Sequence, residues 1–80
     1  MKISVVKQLV ADYSLEELKA AEEAISEEQT PSITIEGGDE GEQLTHVFAA
    51  VWVKEKIATE NIEFRLALRE YTKMVRKSIG

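Results

Sequence analysis

Residues 39–60 read DEGEQLTHVFAAVWVKEKIATE, and the way this stretch folds decides the rest of the chain. Wound as an α-helix over about 40–59, it carries Leu44, Val47, Phe48, Val51 and Trp52 on one face. His46, Ala49, Ala50, Val53 and Ile57 then fall on the opposite side. Asp39 is placed to cap the helix, with Glu42 three positions on, and acids in the first turn suit the positive end of the helix dipole. The alanine pair and the apolar pattern on both flanks favour helix over strand. A helix that is apolar on two sides must be covered on two sides. Three further helices of modest width could cover it, and a second subunit would do so more easily. The expectation is therefore a homodimer, with His46, Ala49, Ala50, Val53, Ile57, Ile33 and Ile35 as its interface.

Working outward, Ser14-Leu15-Glu16-Glu17 has the form of a capping box. The serine hydroxyl takes the amide of Glu17, and the Glu17 carboxylate takes the amide of Ser14. Tyr13 and Leu18 flank it at the positions of a hydrophobic staple. A helix over 15–29 follows, with the narrow apolar stripe Leu15, Leu18, Ala21 and Ile25, stopped by Thr30-Pro31. Upstream, Ile3, Val6, Val10 and Tyr13 share one helical face, which predicts a helix over 3–12. Ser32-Ile33-Thr34-Ile35-Glu36 alternates with period two and reads as a short extended segment. It either anchors through its two isoleucines or pairs with the same segment of another copy. Gly37-Gly38 makes a turn, and Asn61, which tolerates a left-handed backbone, turns the chain into a last helix over 63–78. The fold expected is all-α, a compact four-helix arrangement in a single domain.

Charge is distributed unevenly. Asp12, Glu16, Glu17, Glu22, Glu23, Glu27, Glu28, Glu36, Asp39, Glu40 and Glu42 crowd residues 12–42, against one base, Lys19, in that span. The last helix carries the basic row Arg65, Arg69, Lys73 and Arg76, a candidate partner-binding surface. Like charges one turn apart repel slightly on a helix, so the row points to a negative partner, either the acids of the second helix or another molecule. The net charge of −5 argues against a general nucleic-acid or membrane-surface binder. No apolar run approaches the roughly 20 residues of a spanning helix, and the first residues lack the apolar core of a secretion signal. The chain has no cysteine, which excludes disulfides and fits a cytoplasmic setting. At this length the core is thin, which again favours self-association.

Signatures of chemistry are weak. Gly37-Gly38-Asp39-Glu40-Gly41 is similar to the signature of diguanylate cyclases, but turn and cap chemistry explains each of its residues, and this chain is too short for such a domain. The same segment lacks the alternating oxygen ligands of a calcium loop. Glu42 and His46 lie one helical turn apart, a spacing that can hold a metal or an ordinary hydrogen bond, and a lone histidine among apolar neighbours favours the bond. There is no cysteine nucleophile and no serine in a glycine-flanked elbow. The reading is a non-enzymatic protein-interaction module without a cofactor. A small nucleic-acid-associated regulator using the basic face of the last helix is the alternative.

Four stretches carry a resemblance over nearly the whole length: Lys7–Val10, Tyr13–Glu22, Glu40–Val47 and Ala67–Lys73. With them the chain resembles a family of short, uncharacterised, acidic bacterial proteins. That resemblance implies a self-standing small protein and brings no activity, cofactor or catalytic residue with it.

Overall fold

The capping box at Ser14 is formed as its residues require. The Ser14 hydroxyl accepts from the Glu17 amide at 3.2 Å, and the Glu17 carboxylate accepts from the Ser14 amide at 2.9 Å. In the computed structural model, which describes residues 1–79, four helices follow one another: α1 (Ile3–Asp12), α2 (Leu15–Ser26), α3 (Glu40–Glu60) and α4 (Phe64–Ile79). No strand is present among the described residues. Asp39 caps α3 by accepting from the Glu42 amide at 2.8 Å. Asn61 closes α3 in the left-handed region, at φ 52° and ψ 46°.

Helix α3 is the hub, and each of the other three helices packs mainly against it. One core contains Val5, Val6 and Leu9 from α1, Leu18, Ala21 and Ile25 from α2, and Ala67 and Tyr71 from α4. All of them gather on Val47, Ala49, Ala50, Val51 and Val53. The Cα radius of gyration, 12.0 Å, is close to the ~11.6 Å expected for one closed domain of this length.

Both sides of α3 are thus covered within one chain, so most of the residues expected to form a subunit interface are enclosed in the monomer. His46, Ala49, Ala50 and Val53 are buried in the monomer, as is Ile35, while Ile57 and Ile33 are half-buried. The two alanines present so little side chain that neighbouring helices can approach α3 closely. The large apolar side chain of α3 that stays open is Phe48, on the side thought to be core, at 45% exposure.

Two polar side chains of α3 fix the direction of α1. The Lys2 amide donates to Nε2 of His46 at 2.9 Å. Eight residues further along both segments, Lys54 Nζ donates to the Val10 carbonyl at 2.7 Å. Equal steps along two helices, each ~1.5 Å per residue, mean that α1 and α3 run side by side in the same direction. The α1 N-cap, Lys2, makes no side-chain cap bond, and the last turn of α1 has no basic residue. The caps of α1 are therefore supplied by α3.

Helix α2 ends at Ser26, three residues before the expected stop, because the chain turns left-handed at Glu28 (φ 61°). The Gln29 amide bonds the Ala24 carbonyl at 2.7 Å, and the Glu28 amide bonds the Ile25 carbonyl at 3.0 Å, the paired bonds of a Schellman ending. Glycine is the usual residue at that position. Glutamate there holds a strained backbone and sets a carboxylate at the negative end of the helix dipole. Glu28→Gly should raise the unfolding free energy by about 0.5–1 kcal/mol, read as a higher urea midpoint with an unchanged slope.

The expected extended segment 32–36 has no regular structure and no strand partner. It holds on through buried Ile35 and half-buried Ile33, the first of the two readings above. Its continuation, Gly37, lies so close to α3 that a Cβ there would sit 2.9 Å from the backbone nitrogen of Gln43.

Candidate functional site: a cationic groove between the first and last helices

Helix α4 crosses α3 beside α1, and the two flanking helices leave a groove between them. Ile3 and Lys7 come from α1; Phe64, Arg65, Leu68, Arg69 and Thr72 come from α4. The cleft is open and encloses about 380 Å³. Its floor is apolar: Phe64 and Leu68 are half-buried, and Ile3 is 56% exposed. Its rim is cationic, from exposed Lys7, Arg65 and Arg69.

The structure divides the predicted basic row. Arg65 and Arg69 line this groove, and Arg76 is exposed on the same helical stripe, seven residues past Arg69. Lys73 lies on the other flank of α4, in a cleft with Trp52, Lys56, Glu70 and Met74. Lys7 was not singled out from the sequence. Its only signal was its spacing, one turn from Ile3, while the helix that completes the groove lies about sixty residues away in sequence.

The acids of α2 do not neutralise these cations. Among the described residues the ion pairs are Lys19 with Glu55 (3.8 Å) and Lys56 with Glu60 (2.6 Å) and Glu70 (3.6 Å). Arg65, Arg69, Lys73 and Arg76 are in none of them. Lys56 also lies 5.3 Å from the Trp52 ring centroid, a cation–π arrangement. Bonding to Glu60, joined by the charge of Glu70, raises the Lys56 pKa above its ordinary value despite partial desolvation. This cluster ties α3 to α4.

A second open cleft, about 410 Å³, lies where α2, α3 and α4 meet, lined by Glu22, Ser26, Leu44, Thr45, Phe48 and Tyr71. Phe48 stands over the Tyr71 ring at 6.3 Å between centroids, and Trp52 packs on the same ring at 5.6 Å. Tyr71 is buried, and burial pushes its phenol pKa up. Glu22 keeps one carboxylate oxygen, Oε2, away from solvent and without a hydrogen-bond donor.

The Glu42–His46 pair is not a joint site. The Glu42 carboxylate accepts from the Gly38 amide at 3.1 Å, tying the turn to α3. Nδ1 of His46 lies 2.7 Å from the Glu36 carbonyl, which can only accept, so Nδ1 carries the proton and Nε2 receives the Lys2 amide. Both ring nitrogens are thus used in holding the fold. No group of three or more metal-ligating side chains occurs among the described residues, and no helix among them is long and apolar enough to cross a membrane.

The profile of a family of unknown function, DUF6952, matches residues 1–80. No curated protein and no solved structure matches the chain.

Proposed function

Because the chain belongs to that family of unknown function, we propose its role from geometry alone: it is a protein-interaction module, and the groove between α1 and α4 is its binding surface. The groove suits an acidic amphipathic segment of a partner protein. Its apolar side would lie on Ile3, Phe64 and Leu68, and its carboxylates would meet Lys7, Arg65 and Arg69. One observation carries this reading: cations that no carboxylate of the described chain neutralises border an apolar floor that lies open to water. Apolar contact supplies affinity, and the rim supplies orientation and encounter rate. The module is read as non-enzymatic, a contact surface for a partner. A nucleic-acid backbone is the weaker occupant, since it would use the rim and leave the apolar floor empty.

The test is a titration of a labelled helical peptide, glutamate on one face and leucine on the other, followed by fluorescence anisotropy. Arg65→Glu with Arg69→Glu should weaken binding by about tenfold or more, ~1.4 kcal/mol, while the far-ultraviolet dichroism stays unchanged. Equal affinity for the reversed and the native rim would remove the groove from the account.

A further inference from the structure

Resting on that reading of the groove, we infer that its occupant is a second copy of this chain, which inserts Phe48 and the adjoining acids of α2 into the groove of the first. The chain carries both halves of this contact. Phe48, nearly half exposed, lines the cleft that Glu22 borders. Glu23, the next residue along α2, is exposed, and neither glutamate is ion-paired among the described residues. Half-buried Glu22 and exposed Glu23 supply the negative charge that an incoming guanidinium would meet. The groove presents the opposite character: an apolar hollow rimmed by Lys7, Arg65 and Arg69. The two clefts share no lining residue, so a chain cannot fill its own groove with its own Phe48.

A contact between two different patches of identical subunits is heterologous. It leaves one free knob and one free hollow on every pair, and it continues into rings or open chains unless rotation closes it. This differs from the symmetric interface expected along α3, most of whose residues are already enclosed.

Sedimentation velocity over a range of concentrations tests it with two exposed-surface variants, both checked for native melting. Arg65→Glu with Arg69→Glu spoils the hollow and keeps the knob. Phe48→Ser with Glu23→Gln spoils the knob and keeps the hollow. The native chain should show a mean mass that climbs with concentration past that of a pair of 9.0 kDa chains. Each variant alone should stay a monomer. An equimolar mixture of the two should form a one-to-one pair and nothing larger, because one intact knob meets one intact hollow and both remaining faces are spoiled.

A native chain that stays at 9.0 kDa throughout overturns the inference, and so does a mixture that fails to pair. Should the acidic peptide still bind the groove in either case, the proposed function stands without a second copy. Should it not bind, both readings fall.

Discussion

Replacing His46 with leucine is expected to lower the unfolding free energy by about 2–4 kcal/mol. The ring is 1% exposed and uses both nitrogens, one on the Lys2 amide and one on the Glu36 carbonyl. Leucine fills much of the space and satisfies neither group. Each backbone group deprived of its partner away from water costs about 1–3 kcal/mol, less where water can reach it. The melting temperature should fall by roughly 10–25 °C, since 1 kcal/mol shifts a domain of this size by about 4–8 °C. A control separates this effect from simple damage at the amino end. Lys2 contributes only its backbone amide, so Lys2→Ala should stay within about 0.5 kcal/mol of the native chain. A leucine variant that melts with the native protein would show that His46 does not hold α1 and the 32–38 segment on α3.

Leu18→Ala should cost about as much or more, some 2–5 kcal/mol, read from urea unfolding. Leu18 is the largest side chain among those fully enclosed by the core. It is also the fourth residue of α2, where the capping box at Ser14 aims the helix at α3. Removing three side-chain carbons there leaves a cavity in the core that α2 shares with α3. A chain of this length has only about 4–12 kcal/mol of stability in all, so the variant should be partly unfolded at moderate temperature. A loss below about 1 kcal/mol would mean that the contact between α2 and α3 is looser than described.

The helices were legible because their ends are written locally. Ser14 with Glu17, Asp39 with Glu42, and Asn61 each act within four residues, and their bonds formed as the spacing implied. The end of α2 was misjudged because Pro31 is a visible stop, whereas a left-handed glutamate at 28 leaves no mark in the sequence. The apolar pattern of α3 showed correctly that two sides needed cover. It could not show what covers them, because that depends on how closely α1 and α2 approach Ala49 and Ala50. The basic row was read as one surface since four-residue spacing places it on one helix face. Its division between two clefts follows from where α1 and α3 flank α4. Lys7 and Arg65 meet only through that crossing, which no local spacing encodes.

The capping of α1 by His46 and Lys54 has a consequence for how the protein is made. Ten-residue helices are marginal in water, and this one brings no side-chain cap of its own at its start. During synthesis α1 leaves the ribosome before α3, and the lysine that secures its far end is polymerised forty-four residues later. A segment made earlier thus acquires a fixed shape only after one made later. Until then its valines and leucine wait uncovered, an interval in which a holding chaperone would find its target.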